Sequence, residues 1–546
     1  MQAPTAPPTY ESEILDHLGL VAGMYDELEI GEGIDSRIAQ DLDRRAVSIG
    51  QAVKAMVLNG LGFACQSLYL TPRFFKNKPT DRLIGEGVEP EHLNDDTLGR
   101  ALDSLYDYGV TELFRDLSAH AATQLGLTPR FAHLDATSFL AHGEYDEDEE
   151  PEDGVIQVRK GYSRDQRPDL NQVVLNLMVE HKAGLPVLME PLSGNASDQG
   201  SFRELIDRHL GHLQNAHGFD YVVADSALYS SGHVQDLDEA GTKFITRVPG
   251  TLNEAQQAIQ DIDLADLKPL SDGYRAREKI SEYGGVPQRW LIVYSEAAAD
   301  RATESAAKRR DREHEAEKSA FRELEMREFS CREDAEKALS AFEEDLTGSE
   351  WAKKQVLRAI CFTIDEEGIP AETGEASYQL QGTLVPSETR PAELVKKKSY
   401  FIVATNELDE NRLSGLELLE GYKGQSKVER GFRFLKDPQF VASALFLENE
   451  RRIMALLMVM TLCLLVYSAL QWRIRKGLKE SGQAYPDQKR NPTQRPTARW
   501  VFQSFEGIHV LHAGKQQFIL NLEEHHRTVV SILGPEYERL YVSHPT

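Results

Sequence analysis

The spacing of apolar residues divides the chain into segments of different character. From Glu11 to about Leu125, apolar positions recur every three or four residues, which is the period of amphipathic helices, and Asn94 and Asp95 stand where a helix cap is expected. We therefore predict an all-helical amino-terminal domain over residues 1–125. The pattern contains no basic recognition helix, so a packing or dimerisation module and a DNA-binding domain both stay open.

Short strand-like runs replace the helical pattern after residue 126. The segments "FAHLDATSF", "QVVLNLMVEHK" and "GLPVLMEPLSG" predict a three-stranded meander, a helix follows near Ser201, and "GFDYVVADSALYS" and "KFITRVPG" predict two more strands. Three antiparallel strands that lead through a helix into parallel ones are typical of an α/β fold with one mixed sheet. Residues 126–250 are predicted to form the first part of this core, and "KKKSYFIVATNEL" begins the second part, residues 399–480.

The segment between the two parts of the predicted core has a different pattern. Residues 251–398 contain strand-like pieces and, from Glu296 to Leu346, a polar stretch without Gly or Pro. One continuous helix there would be about 75 Å long at 1.5 Å per residue, so a long helix or a folded-back helical hairpin is predicted. We interpret residues 251–398 as an insertion domain and residues 481–546 as a carboxy-terminal extension.

One apolar segment, Ile453 to Leu470, has no charged residue in eighteen positions. A membrane span and a wholly buried core helix both fit this pattern. Basic residues flank the segment on both sides, so the charge asymmetry of a membrane span is absent and we favour the core helix. The amino terminus lacks the basic and apolar regions of a secretory signal, and the four scattered cysteines have no paired spacing. We expect a cytoplasmic protein without a membrane partner.

The helix predicted at "GYKGQSKVERGFRFLKD" presents polar side chains on one face and apolar side chains on a neighbouring face. The polar face consists of Tyr422, Gln425, Glu429, Arg433 and Lys436. A surface helix with solvated charges would give the same pattern. However, the chain has a net charge of −27, whereas residues 422–500 contain fifteen Lys or Arg against six acids. This local excess of positive charge favours an anionic substrate such as nucleic acid.

Three carboxylates are the candidate catalytic centre. Asp135 lies within the first predicted strand of the sheet, Asp225 ends the fourth strand, and Glu429 lies on the polar helix face. Active sites in α/β sheets lie near the ends of strands, and a helix packed beside the strands can bring a third carboxylate to the two aspartates. Three carboxylates repel one another unless hard cations bind, so two Mg²⁺ or Mn²⁺ ions are expected. Such a centre supports phosphoryl transfer, with Arg433 and Lys436 holding the nucleic-acid backbone.

With these residues the chain resembles the DDE transposases of bacterial and archaeal insertion sequences, in the group marked by Y-x2-R-x3-E-x6-K. Tyr422, Glu429 and Lys436 match that spacing, and Gln425 stands where the pattern has Arg. The segments "HLDATSF", "GYSRDQRPDLNQVVLNLMVE", "GNASD", "VVADSALYS", "FITRVP" and "NDDTLGRALD" are similar as well. The resemblance implies an RNase H-like five-stranded core with flanking helices, a large insertion before the catalytic Glu, and an apolar helix that belongs to the core.

The resemblance also implies an activity. The enzyme would hydrolyse a phosphodiester at the ends of its element and use the freed 3′-hydroxyl to attack target DNA, with Asp135, Asp225 and Glu429 as catalytic metal ligands. DNA is the implied partner, and holding two element ends suggests at least a homodimer. The predicted DNA contacts are Tyr422, Gln425, Arg433, Lys436, Lys160, Arg164 and Arg167. For the last three, which lie in or beside "GYSRDQRPDL", a solvated basic turn is the alternative.

Two other functions stay open at this stage. An RNase H-like nuclease or resolvase would cut DNA without joining it, and a catalytically inactive DNA-binding relic of a transposase would do neither.

Overall fold

The structure is a computed structural model that describes most of the chain. The residues it does not describe are 1–9, 41–44, 64–66, 142–144, 146–153, 162–166, 168, 197–204, 206–207, 210–217, 365–369, 439–443, 446, 448, 515 and 543–546. The predicted DNA contact Arg164 therefore lies outside the described residues.

The described residues form a series of helices and strands. The helices are α1 Leu18–Glu27, α2 Ile30–Asp35, α3 Ile49–Leu61, α4 Thr71–Phe75, α5 Thr80–Leu83, α6 Asp95–Tyr108, α7 Val110–Gln124, α8 Ser231–Glu239, α9 Asn253–Gln260, α10 Glu296–Glu325, α11 Arg332–Glu344, α12 Thr389–Ser399, α13 Gly415–Lys423, α14 Ser426–Leu435, α15 Glu450–Ser481, α16 Ala498–Ser504, α17 Glu524–Leu533 and α18 Pro535–Leu540. The strands are β1 Tyr10–Ile14, β2 Phe131–Ala141, β3 Gln172–Glu180, β4 Pro186–Ser193, β5 Tyr221–Ala224, β6 Lys243–Arg247, β7 Lys268–Ser271, β8 Tyr274–Tyr283, β9 Val286–Ser295, β10 Ser349–Ile364, β11 Pro370–Pro386, β12 Tyr400–Thr405, β13 Ala444–Leu445, β14 Tyr485–Pro486, β15 Pro492–Thr493, β16 His509–Ala513 and β17 Gln516–Leu520.

One large mixed sheet forms the centre of the fold. Its order is β4-β3-β2-β5-β6-β12-β9-β8-β7, with β13 pairing with β2. Strands β2, β3 and β4 are antiparallel neighbours, whereas β5 runs parallel to β2 and β6 runs parallel to β5. The predicted α/β fold with a mixed sheet is confirmed.

The predicted five-stranded layout is not confirmed, because the sheet that the described residues form has ten strands. Strand β12 pairs antiparallel with β6 on one side and with β9 on the other, so the hairpin β8–β9 of the predicted insertion extends the same sheet. This pairing satisfies backbone groups that an edge strand at β6 would leave open. Because these strands are far apart in the sequence, their pairing cannot be predicted from local sequence patterns.

Helices cover both faces of the sheet. The two faces alternate along β3, since Leu177 belongs to the core that contains α14 and α15, and Met178 belongs to the core that contains α8 and α9. The first of these cores also includes the amino-terminal helices and the carboxy-terminal helices α16 to α18. One continuous core therefore spans the predicted domain boundaries at residues 125 and 480, and the boundaries themselves stay predictions.

Helix α15 contains the apolar segment that the sequence singled out. Among the described residues it is the one helix long and apolar enough to cross a membrane, and 83% of its most apolar window is buried inside the protein. It packs against α1, α3, α6, α7 and α17. This burial is typical of a core helix.

Strand β1 departs from the predicted all-helical amino terminus. Residues Tyr10–Ile14 pair antiparallel with β16 of the carboxy-terminal extension. The prediction is wrong there because the partner strand lies about 500 residues away, a pairing that the five-residue pattern "YESEI" does not reveal.

The predicted polar stretch from residue 296 to 346 forms two helices. Helix α10 has 30 residues, which is about 45 Å, and α11 has 13 residues. Both pack on the long hairpin β10–β11, where Phe321, Leu339 and Leu380 share a small core of their own. The insertion thus combines a long helix with a packed β-hairpin.

Candidate active site

Strand register places the two aspartates side by side. Strands β2 and β5 are parallel, and Leu134 pairs with Ala224. The next residue in each chain segment is an aspartate, so Asp135 in β2 and Asp225, directly after β5, occupy corresponding positions on neighbouring strands. Strand β2 continues to Ala141, whereas β5 ends at Ala224. The pair therefore lies at the carboxyl end of β5.

Local hydrogen bonds hold both aspartates at the carboxyl end of β5. One carboxylate oxygen of Asp225 accepts the N–H of Ala227 at 2.9 Å, and its backbone carbonyl accepts the Thr246 hydroxyl at 2.7 Å. A carboxylate oxygen of Asp135 accepts the N–H of Ala136 at 2.8 Å. Asp225 is exposed and Asp135 is half-buried, so solvent and a substrate can reach this edge.

The residues two positions earlier show which face of the sheet the aspartates use. His133 lies against Gly424, because a Cβ at Gly424 would come within 2.6 Å of the His133 ring. Val223 packs in one apolar cluster with Leu418 of α13. Side chains two residues apart on a strand point to the same face. Asp135 and Asp225 therefore emerge on the face covered by α13 and α14.

Helix α14 brings Glu429 to the same edge. Its apolar residues Val428, Phe432 and Leu435 are buried. Just before the helix, Gln425 donates from Nε2 to the carbonyl oxygen of Leu134 at 2.9 Å. Glu429 follows Gln425 by one helical turn and is exposed. The third carboxylate thus lies one turn from a direct contact with the strand of Asp135.

Tyr422 interacts with two of these acids and with a cation. Burial raises the pKa of its phenol, the carboxylates of Asp225 and Glu429 raise this pKa further, and a hydrogen bond with Arg247 opposes the shift. Both acids are therefore within electrostatic range of the phenol. The Arg247 guanidinium also lies 5.7 Å from the centre of the Phe401 ring.

Arg247 is a further cation beside the acids that the sequence pattern did not indicate. Thr246 pairs with Ala224, so the next residue, Arg247, lies level with Asp225. Ile245, two positions earlier, lies beside Gly421 of α13, which places Arg247 on the same face as the acids. The strand "FITRVP" was located from the sequence, and the signal that would have found Arg247 is its place at the end of that strand.

The three acids share one edge but their side chains do not converge. Within the described residues, no three His, Cys, Asp or Glu side chains are close enough to hold a metal ion. The donor set nevertheless fits a hard divalent cation, since carboxylate oxygens are the ligands that Mg²⁺ and Mn²⁺ prefer.

Comparison with protein families identifies the class. The family described as "Transposase DDE domain" matches residues 127–466, which include the strands and helix of all three acids. This chain belongs to the DDE transposase family. It is therefore a DNA transposase, and enzymes of this family generally use divalent metal ions. A family described as "Domain of unknown function (DUF4277)" matches residues 10–119.

Two other comparisons add little detail. No curated protein matches the chain. Among solved structures, the transposase is similar to "Cryo-EM structure of piggyBac transposase synaptic complex with hairpin DNA (SNHP)", with 9% identity, a TM-score of 0.35, and coverage of 91% of this chain and 82% of that one.

The predicted DNA contacts of the transposase occupy different environments. Arg433 is exposed on α14, and the Lys436 ammonium lies 5.8 Å from the centre of the Phe139 ring. Lys160 is exposed, whereas the guanidinium of Arg167 forms two hydrogen bonds with the carboxylate of Asp169, at 2.8 and 2.9 Å. Gln425 is only 8% exposed. The structure thus presents Arg433 and Lys160 to solvent and turns Gln425 inward.

Proposed function

We propose that this transposase hydrolyses a phosphodiester at each end of its element and joins the freed 3′-hydroxyl to target DNA, with Asp135, Asp225 and Glu429 as one centre for both steps. The observation that carries the proposal is the register of β2 and β5, which sets two aspartates level, together with the helix of Glu429 bonded to the same strand through Gln425. Hydrolysis and joining are the same phosphoryl transfer with different nucleophiles, so one centre is sufficient.

The sheet supports a finer assignment of the fold. Strands β4-β3-β2-β5-β6 comprise an antiparallel meander followed by two strands parallel to its first strand. We assign this five-strand unit to the RNase H-like fold, and β12 with the insertion strands to an extension of it. We also assign the chain to the Y-x2-R-x3-E-x6-K group, with Gln425 at the position of the Arg.

Asp135, Asp225 and Glu429 would hold two Mg²⁺ or Mn²⁺ ions. When bound, such ions activate the attacking oxygen and stabilise the leaving oxygen. The cationic side chains beside the acids act on the DNA. Arg247 and Arg433 lie at the surface near the carboxylates, where they would hold phosphate oxygens and offset the repulsion between the acids and the DNA backbone.

The assembly and location are part of the proposal. Synapsis of two element ends requires two active sites in one complex, so we propose a homodimer that acts on DNA in the cytoplasm. The overall charge of −27 makes this local arrangement of cations important, because most of the chain repels DNA.

The test is cleavage of DNA that carries candidate element ends, with purified full-length protein and Mg²⁺ or Mn²⁺. Asp135→Asn, Asp225→Asn and Glu429→Gln should each abolish cleavage and joining and retain DNA binding. Glu420→Gln is the matched control, since Glu420 is exposed on α13 and loses the same charge. A folded Glu429→Gln protein that nicks at the parental rate would refute the proposed centre, and cleavage by the parent without strand transfer would indicate a nuclease.

A further inference from the structure

Gln425 connects the helix of Glu429 to the strand of Asp135. Its side-chain amide donates to the Leu134 carbonyl at 2.9 Å, and Leu134 immediately precedes Asp135. Its backbone carbonyl accepts the N–H of Glu429 at 3.5 Å. Glu429 lies about 6 Å further along the helix axis, at 1.5 Å per residue. One residue thus links two of the three segments that carry the acids.

The chain around Gln425 is seated directly on the sheet. A Cβ at Gly424 would lie 2.6 Å from Cε1 and Nε2 of His133, and a Cβ at Gly421 would lie 3.1 Å from Ile245. These glycines let the junction of α13 and α14 approach β2 and β6 more closely than any other residue would. The hydrogen bond from Gln425 is therefore part of a close contact, in which a small displacement would move Glu429.

The position of Gln425 does not suit a DNA contact. Its side chain is 8% exposed and its amide nitrogen is committed to a backbone carbonyl inside the protein. A phosphate contact requires a donor at the surface. Arg247 and Arg433 provide exposed cations near the same edge, so the sequence prediction that Gln425 binds DNA is not supported by its surroundings.

We propose that Gln425 is a positioning residue, which fixes the distance between the carboxylates of Asp135 and Glu429 and thereby tunes the affinity of the centre for divalent metal. This inference rests on the proposed function of those two acids. Residues that orient metal ligands typically change metal affinity by 10- to 100-fold when they are replaced. A tenfold effect is expected here, because Gln425 acts through the backbone of Leu134 and through one helical turn.

The test is a titration of the full-length protein with Mn²⁺ in the absence of DNA. Electron paramagnetic resonance measures the concentration of free Mn²⁺ at each step. Gln425→Met keeps the size of the side chain and removes the donor, and the Mn²⁺ dissociation constant should rise about tenfold. DNA affinity measured in EDTA should not change. The Mn²⁺ concentration that gives half-maximal cleavage should rise by the same factor, and saturating Mn²⁺ should restore most of the rate. Ser426→Ala, at the exposed neighbouring residue, should behave as the parent.

Two results would overturn the inference. The first is unchanged Mn²⁺ affinity in a folded Gln425→Met protein, and the second is lower DNA affinity in EDTA, which would make Gln425 a DNA contact. If Gln425→Met does not fold, Gln425→Asn, which keeps the amide on a shorter side chain, is judged by the same two criteria. Asp135→Asn in the same titration separates this inference from the proposed function. If Asp135→Asn binds Mn²⁺ with the affinity of the parent, the proposed centre is wrong. If Asp135→Asn loses Mn²⁺ binding while Gln425→Met keeps the Mn²⁺ affinity of the parent, only the positioning role is refuted.

Discussion

Replacement of Gly424 by Ala tests how closely the helix of Glu429 is seated on β2. The new Cβ would lie 2.6 Å from two atoms of the His133 ring and 3.0 Å from the carbonyl oxygen of Gly421. Non-bonded carbon atoms prefer about 3.5–4.0 Å, so a displacement on the order of 1 Å is required. Because His133 is fully buried, we expect the junction of α13 and α14 to move rather than the ring.

The expected cost in stability is small. Overpacking costs about 1–3 kcal/mol. Gly424 has φ −60° and ψ −18°, a helical conformation that Ala adopts freely, and Ala in place of Gly in such a conformation returns up to about 1 kcal/mol. The free energy of unfolding should therefore fall by about 0–3 kcal/mol. Activity should suffer more, because misplacement of a catalytic group by 1 Å can lower the rate about 100-fold.

Urea denaturation followed by circular dichroism measures the first effect, and single-turnover cleavage of element-end DNA measures the second. Gly232→Ala in α8 is the control, since a Cβ there meets no atom within 4 Å. It should stabilise the protein by about 0.4–1 kcal/mol and leave cleavage unchanged. In a protein that already carries His133→Ala, Gly424→Ala should change the free energy of unfolding only slightly. A double-mutant cycle would show this difference as a coupling energy between the two positions. A Gly424→Ala protein that resembles Gly232→Ala in both assays would refute the close contact.

Three further predictions concern the core, the pH dependence and the DNA interface. Leu464 is 3% exposed and packs beside α14, so Leu464→Ala should lower the free energy of unfolding by about 2–5 kcal/mol and Leu464→Asp should prevent folding; circular dichroism that matches the parent in both variants would contradict this packing. Burial lowers the pKa of His17 to about 4 and that of His133 to about 3, whereas in the unfolded chain it is about 6.5. Both rings are neutral in the fold, so their contribution to stability is complete above pH 6.5 and is lost as the pH falls from 6.5 toward 3, by up to about 1.4 kcal/mol per pH unit for each ring. Denaturation at pH 7 and pH 5 should show that the free energy of unfolding falls less in His133→Gln than in the parent. Equal falls would mean that folding does not lower the pKa of His133. Arg433→Ala and Lys436→Ala should each weaken binding of all DNA sequences and lower the slope of log affinity against log salt by about one; an unchanged slope would assign that side chain to a solvated surface.

Local periodicity determined which segments form the site. The strand pattern around Asp135 and Asp225 and the helical pattern of residues 421–437 depend on neighbours within one or two turns, and the structure forms β2 and β5 at the predicted strands. The prediction of one continuous helix over residues 421–437 is wrong, because α13 ends at Lys423 and α14 begins at Ser426. The apolar face with Val428, Phe432 and Leu435 is buried as its spacing indicated. The excess of positive charge in residues 422–500 of an otherwise acidic chain is also evident from the sequence. The motifs built on these segments were enough to indicate the DDE transposase family.

Tertiary structure decided which residues meet. The level placement of Asp135 and Asp225 follows from a register in which Leu134 pairs with Ala224, residues 90 positions apart, and no local pattern encodes a register between distant strands. The register of β5 and β6 places Arg247 level with Asp225, and the pairing of β12 with β6 and β9 extends the sheet beyond five strands. The sequence pattern assigns Gln425 to a polar helix face, yet Gln425 lies between α13 and α14 and is buried, because Gly421 and Gly424 let this junction come close to the sheet. Periodicity shows which side of a segment is polar, but the packing of that segment against the sheet decides which of its polar side chains are buried. That approach places the amide of Gln425, which the sequence predicts as a DNA contact, in a hydrogen bond with the strand of Asp135.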